Sequence, residues 1–396
     1  MTLPARLTDT TQEHLEQLVA DRAQEGLHLE FKRDFPTNWD AATKTEALAD
    51  ITALANASGG DLVYGIAENS SAQAESLVPQ VLDSVDQEVR RLQDFMLHLV
   101  EPRMPGVQVH AVPVTVAGTA GHAVVVRVPQ SWVGPHRVNT NQHFFTRDGL
   151  RKRPLNVPEI RGLFLRSQNT AQSVRDFRTD RLAKVLTGEV PYRLTQSTVL
   201  VLHLVPVDAV LGAVDVNPVQ YLGLRRGIPV VASRSHAAES LVNLDGAAGA
   251  RHVAQDGTNG YTILFRNGFI ETTWALSSNT PEMEAVLPGG TFEDYITQFV
   301  AAARGELREW WLSEQVIAML SILDAKRVTL GFQRQWAEPQ LGKFDRDVLA
   351  IPDVELSGER DARVELKPLF DLVWQSAGFE ASPHYDNSGI WVRQRD

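Results

Sequence analysis

Apolar and polar positions fall into short blocks along the first third of the chain, and the period changes from block to block. In Leu27-His28-Leu29-Glu30-Phe31-Lys32 the alternation is strict. It predicts a strand with Leu27, Leu29 and Phe31 toward a core and His28, Glu30 and Lys32 together on the other face. Over residues 44–57 the period becomes three and four, with Ala47, Leu48, Ile51, Leu54 and Ala55 on one face, so a helix is predicted and Ser58-Gly59-Gly60 ends it. Residues 62–66 are a continuous apolar run interrupted by Gly65, which predicts a strand buried on both sides, with Glu68 just past its end. Before this unit a helix is expected over 15–23, capped by Thr10 or Thr11 and closed at Glu25-Gly26. After it come a helix over 85–100 stopped by Pro102 and Pro105, two strands over 107–116 and 122–128 joined by a turn at 118–121, and a helix from Pro158 to about Ser167.

The second half is patterned differently. Residues 168–181 read as a connector or an exposed helix. An apolar strand is expected over 198–205, a hairpin about Asn267-Gly268 between 261–266 and 269–275, a long helix from Phe292 to about Leu323, a helix over 366–377 and a last strand over 389–393. Trp310-Trp311 on that long helix reads as an anchor for a core or a subunit contact.

With 396 residues the chain exceeds what one core holds, since single cores stop growing at roughly 250–300 residues, so two domains are expected. The division is placed as 1–168, a connector 169–180 and 181–396. Cysteine is absent, which excludes disulfides, catalytic thiols and zinc-thiolate sites and fits a reducing, cytoplasmic setting. Asp9, Glu13 and Glu16 mark the first twenty residues as no secretory signal. The most apolar stretch, 199–212, is broken by His203, Pro206 and Asp208 and falls short of the roughly 20 residues a membrane helix needs, so no membrane partner is expected. Net charge is −11, from 38 Lys plus Arg against 49 Asp plus Glu, which points weakly away from nucleic acid. The distribution points the other way. Between Arg137 and Arg181 ten basic residues stand against four acidic ones.

Four residues carry candidate chemistry: Glu25, Glu30, Lys32 and Glu68. Three carboxylates in one pocket repel one another unless a divalent cation neutralises them, and hard oxygen ligands select Mg²⁺ or Mn²⁺. In phosphodiester hydrolysis such an ion activates water, and a nearby lysine stabilises the charge that builds on the phosphate. From spacing alone, alternating Glu and Lys is more often a solvated strand face. Arg147, Arg151, Lys152 and Arg153, with His136, Arg137, Phe144 and Phe145 nearby, could track a phosphate backbone, while Phe144 or Phe145 reads equally as core. No Gly-x4-Gly-Lys-Ser/Thr loop and no His-Glu-x-x-His helix occurs, which disfavours ATP hydrolysis and a zinc-protease site.

The motifs Glu25-x4-Glu30-Phe31-Lys32 and Ala53-Leu54-Ala55-Asn56-Ala57-Ser58-Gly59-Gly60-Asp61-Leu62-Val63-Tyr64-Gly65-Ile66 resemble those of the Schlafen/AlbA-type domain. Later segments continue the resemblance in order: Val128-Pro129-Gln130-Ser131 with Pro135-His136, Phe145-Thr146-Arg147-x-Gly149, and Pro154-Leu155 before Glu159-Ile160. The resemblance covers about 10–168. It implies an α+β fold, an N-terminal Schlafen/AlbA-type mixed-sheet domain with flanking helices, joined to a second α/β-type C-terminal domain whose role (sensor, target recognition or dimerisation) is unassigned. It further implies a metal-dependent endoribonuclease acting on structured RNA, with transfer RNA favoured, in phage defence or a stress response, and a homodimer by analogy. Its three-carboxylate cluster falls on Glu25, Glu30 and Glu68. The family commonly has aspartate at the last position, so Glu68 is a departure and Asp61 a fallback ligand. A non-catalytic regulator that binds nucleic acid or nucleotide is the alternative.

Overall fold

The computed structural model describes residues 3–4, 6–104, 106–149, 151–210, 212, 214–223, 228–231, 236–277, 284–309, 315–332, 340–358, 361–386 and 389–392, apart from the side chains of 307–309, 332 and 340. Two compact units result, Met1–Ala171 and Gln172–Asp396.

In the first unit, β1 (Leu29–Lys32) pairs in parallel with β2 (Gly60–Tyr64). The pair belongs to a four-stranded sheet completed antiparallel by β7 (Thr119–Val128) and β6 (Gln108–Val116). Between β2 and β6 lie the short hairpin β3 (Ile66–Glu68) and β4 (Ala74–Leu77), and β5 (Val100–Glu101). The sheet is covered on both faces, which the period-2 rule resolves residue by residue. Leu62, Tyr64, Val124 and Val126 pack with Leu48, Ile51 and Leu54 of α2 (Ala41–Asn56) and Leu92 and Met96 of α3 (Val85–Leu99). Val63, Val125 and Phe31 pack on the other face with Leu15 and Leu18 of α1 (Gln12–Ala20). Because Phe31 belongs to the α1 side, Glu30 and Lys32 point to the α2 side. β5 joins a second sheet in the order β10-β9-β8-β5, where β8 is Arg137–Val138, β9 His143–Asp148 and β10 Arg151–Pro154. Asn56, the last residue of α2, fastens that sheet: its amide donates to the carbonyls of His136 (2.9 Å) and Phe145 (2.8 Å) and accepts from the His136 N–H (2.7 Å).

Several expectations change. The strand starts at Leu29, and Leu27 is exposed rather than core. α1 stops at Ala20 with Arg22 in the left-handed region (φ 49°), so Glu25-Gly26 is not its cap. The hairpin turns at Ala117-Gly118, both with positive φ, while Gly121 lies inside β7. The helix expected to end at about Ser167 runs on through 168–181, the helical alternative for that stretch, as one element, α4 (Val157–Thr187).

The second unit is built on a large antiparallel sheet. Its strands are, in spatial order, Glu239–Val242, Gly246–Ala250, Tyr261–Phe265, Ile270–Ala275, Val199–Pro206 and Val316–Leu323, the last also pairing Val348–Ala350 and Val354–Leu356. Antiparallel pairing throughout this sheet is the α+β arrangement. The expected long helix is two elements. Gly289–Glu309 is helical, but Val316–Leu323 is the fully buried strand beside Val199–Pro206. A run apolar at every position but Ser321 has no clear period to separate helix from strand, and pairing decided it. Ala362–Ser376 is helical as expected, with Trp374 fully buried. Of the expected last strand only a bridge between Trp391 and Tyr385 is found, and Arg393 lies outside the described residues, as do Trp310 and Trp311.

Among the described residues no helix is long and apolar enough to cross a membrane.

Candidate functional site

Glu25 and Glu30, in the loop before β1 and in β1, converge with Glu68 from the end of β3. Glu25 sits in a tight loop before β1, where the Gly26 N–H donates to the Leu29 carbonyl at 2.9 Å and the Glu25 N–H to the Ala72 carbonyl at 2.9 Å. Its Oε1 accepts the Phe31 N–H at 2.7 Å, which aims the carboxylate alongside Glu30. Glu68 ends β3, and the chain reaches it through Gly65 (φ +101°), where it leaves β2 for the β3–β4 hairpin. At Gly65 a Cβ would stand 3.1 Å from the Val78 carbonyl oxygen, so both the backbone conformation and the packing favour glycine. Partial burial raises the Glu25 carboxyl to about 7. The charges of Glu30 and Glu68 and a hydrogen bond with Glu68 add to the rise, against the lowering pull of the Phe31 N–H. Negative charge here exceeds what its surroundings neutralise.

Glu30, only 7% exposed, is held by two cations. Lys32 Nζ donates to Oε1 at 2.7 Å, and Arg147 Nη1 donates to Oε2. Lys32 also lies 3.7 Å from Asp50 on α2, and Asp50 is 2.7 Å from Lys152. Burial works against the Lys32 charge, yet Asp50 and Glu30 more than offset it and raise its pKa above the ordinary lysine value. Asp50 is itself pushed up by burial, which Lys152 and Lys32 counter only in part. The chain Arg147, Glu30, Lys32, Asp50, Lys152 thus alternates in sign. Asp50 is a site residue that the pattern analysis passed over. The signal was present, because an acidic residue at Ala47+3 and Leu54−4 lies on the buried face of its helix and requires a partner.

Most of the basic positions are engaged by acidic side chains. His136 is fully buried, with Nε2 2.7 Å from Ser131 Oγ and Nδ1 2.7 Å from the Pro102 carbonyl, so it cannot stack on a base. Arg147 is buried on Glu30. Lys152 is tied to Asp50 and, at 2.7 Å, to Glu46. Arg153 holds Glu159 by two bonds of 2.7 and 2.9 Å, and Arg137 pairs with Glu101 at 2.8 Å. Arg151 is exposed and has no partner among the described residues. Phe145 packs against the α2 core, and Phe144 meets Phe164 edge to face at 6.2 Å. Asp61 is engaged by Arg127 through two bonds of 2.8 and 2.9 Å.

Residues 25–156 match the family model described as Schlafen, AlbA_2. The match places a Schlafen AlbA_2 domain within the N-terminal unit. This family includes nucleic-acid-binding and nuclease-type proteins. No curated protein matches the chain. Among solved structures it is similar to the DIP2311 protein from Corynebacterium diphtheriae, at 16% identity over 36% of this chain and 26% of that one, with a TM-score of 0.24. The chain therefore spans about a quarter of that protein's length.

The donor set of this AlbA_2 domain fits a hard divalent cation in its chemistry: three carboxylates, one of them raised to about 7 by burial and by the charges of the other two. Its spacing is not yet that of a ligand cage, since among the described residues no group of three or more acidic or histidine side chains is arranged to hold a metal ion. Glu30, taken by Lys32 and Arg147, is the member that has to change partners.

Proposed function

We propose that the AlbA_2 domain is a divalent-metal-dependent endoribonuclease that hydrolyses phosphodiester bonds in structured RNA, transfer RNA foremost. The convergence of Glu25 and Glu30 from one segment with Glu68 from another carries this reading, because gathering three carboxylates beside a lysine is costly and serves no packing purpose. Bound Mg²⁺ or Mn²⁺ would supply an acidified water and screen the charge developing on the phosphate. Glu25, Glu30 and Glu68 would hold it. Lys32, one-third exposed and with its proton secured by Asp50 and Glu30, places an ammonium where that charge develops. Arg151 is the open cation for the RNA backbone. A homodimer that composes the groove from two copies belongs to this reading, and a fully active monomer in gel filtration would remove that part. A role in phage defence or stress response is its biological setting.

The deciding assay incubates the protein with transfer RNA and Mn²⁺, with and without EDTA, and compares it with Glu30→Gln. Cleavage that needs the metal and disappears in the variant is expected. Absent cleavage, or cleavage equal in the variant, would end the nuclease reading.

A second reading rests on its own observation. Glu30 already has two protein cations, and glutamate stands at 68 where the family commonly has aspartate. A non-catalytic regulator that binds nucleic acid or nucleotide would need no more than this, and RNA binding without cleavage would favour it.

A further inference from the structure

Arg147 lacks the two-nitrogen contact that two other arginines of this chain make with a carboxylate. Arg127 grips Asp61 through Nε and Nη2 at 2.8 and 2.9 Å. Arg181 grips Glu271 through the same two nitrogens at 2.9 and 3.0 Å. This edge of the guanidinium matches the two oxygens of a carboxylate or a phosphate. Arg147 instead reaches Glu30 through Nη1 alone. Its side chain is 0% exposed, and both Nε and Nη2 are buried without a partner among the described residues. A guanidinium does not lose its proton, so these donors cannot be silenced by titration, and leaving them unpaired is unfavourable. The grip on Glu30 is therefore one-pronged, and the edge that matches two oxygens is unused.

Resting on the nuclease reading above, we infer that Arg147 is an exchangeable counter-cation. It keeps Glu30 neutralised while no metal is bound, yields Glu30 when a divalent cation arrives, and then turns its free Nε–Nη2 edge to the oxygens of the substrate phosphate. Metal and arginine compete for Glu30, and metal and phosphate cooperate through Arg147. No bond is made or broken in the exchange; one cation replaces another on the same carboxylate. Lys32 remains on the other oxygen and limits the movement required.

The test measures Mn²⁺ affinity of the full chain without RNA, by water proton relaxation, together with the cleavage rate at saturating Mn²⁺. Arg147→Gln is expected to bind Mn²⁺ about tenfold more tightly, the factor for removing one competing charge-assisted bond, while its saturated cleavage rate falls about a hundredfold. A purely structural Arg147 would give unchanged or weaker Mn²⁺ binding in the variant, and that result overturns the inference. Should Arg147→Gln fail to fold, Arg147→Lys keeps a cation on Glu30 but lacks the two-nitrogen edge. It should retain wild-type Mn²⁺ affinity within a few-fold and lose cleavage rate at saturating metal, and an unimpaired rate would refute the phosphate role. Glu30→Gln separates the two readings. If the wild type binds Mn²⁺ and Glu30→Gln does not, the metal site stands whatever Arg147 does; if the wild type binds no Mn²⁺, both fall together.

Discussion

Glu30 in the first unit and Glu271 in the second are both carboxylates buried beside arginine, and they differ in how completely they are satisfied. Glu271 takes two bonds from Arg181 (2.9 and 3.0 Å), one from His203 Nε2 (3.0 Å) and one from the Tyr261 hydroxyl (2.9 Å). Burial opposes its charge, yet the bonds from His203 and Arg181 hold its carboxyl down at about 2. Glu30 has a one-pronged arginine, a partly exposed lysine and two more carboxylates for company, one of which is raised to about 7. The first arrangement ends in itself and builds a core. The second carries unneutralised negative charge and unused donors, as expected of a site that awaits a ligand.

The largest effect should separate the two in kind. Glu30→Gln should cost on the order of 10³ in cleavage rate, in line with removal of a main electrostatic contact to the reacting centre. It should destabilise less than the loss at Glu271, because removing that charge relieves Glu25 and so offsets part of the cost of leaving Arg147 without its counter-charge. Glu271→Gln should instead destabilise by roughly 3–5 kcal/mol in urea unfolding, since Arg181 is left buried without a counter-charge. Equal stability losses for the two variants would break the contrast.

The pH dependence of stability should run in opposite directions at the two places. Glu25 keeps its proton in the folded state up to about 7, whereas the unfolded chain releases it near 4.5, so the unfolded state binds fewer protons in between. Its contribution to stability is present below 4.5 and is lost as pH rises to about 7. Glu271, held at about 2, contributes above 4.5 and loses its contribution as pH falls toward 2. Urea midpoints followed from pH 3 to 8 should lose the alkaline slope in Glu25→Gln and part of the acid slope in Glu271→Gln. A Glu25→Gln profile that superimposes on the wild type would show that the cluster carries no excess charge. The smallest effect belongs to the surface: Arg151→Ala should weaken RNA binding a few-fold and reduce its salt slope by about 1.

What the sequence made legible follows from the range of the forces involved. The strand β1 with Glu30 and Lys32 on one face, α2 and the hairpin at Asn267-Gly268 are set by neighbours a few residues away, and their periods and turn residues show it. The burial of Arg147 was hidden, because it depends on a carboxylate 117 positions earlier in the chain. The basic tract looked like a phosphate track for the same reason. Its charges are mostly cancelled by Glu30, Asp50, Glu46 and Glu159, which no local window couples to it. Asp50 lay in view as a charge on an apolar helix face, and Val316–Leu323 was ambiguous because an apolar run broken only by Ser321 fits either element. Proximity of Glu25 to Glu68 became visible only once Gly65 was seen to redirect the chain.

The central claim, that Glu25, Glu30 and Glu68 form a divalent-cation site, is tested most directly by a crystal soaked in Mn²⁺ and measured at the manganese absorption edge. The account predicts one or two anomalous peaks with oxygens of all three glutamates within about 2.0–2.6 Å, and Glu30 released from Arg147. No peak at the cluster, or a peak elsewhere with Glu30 still on Arg147, would contradict it.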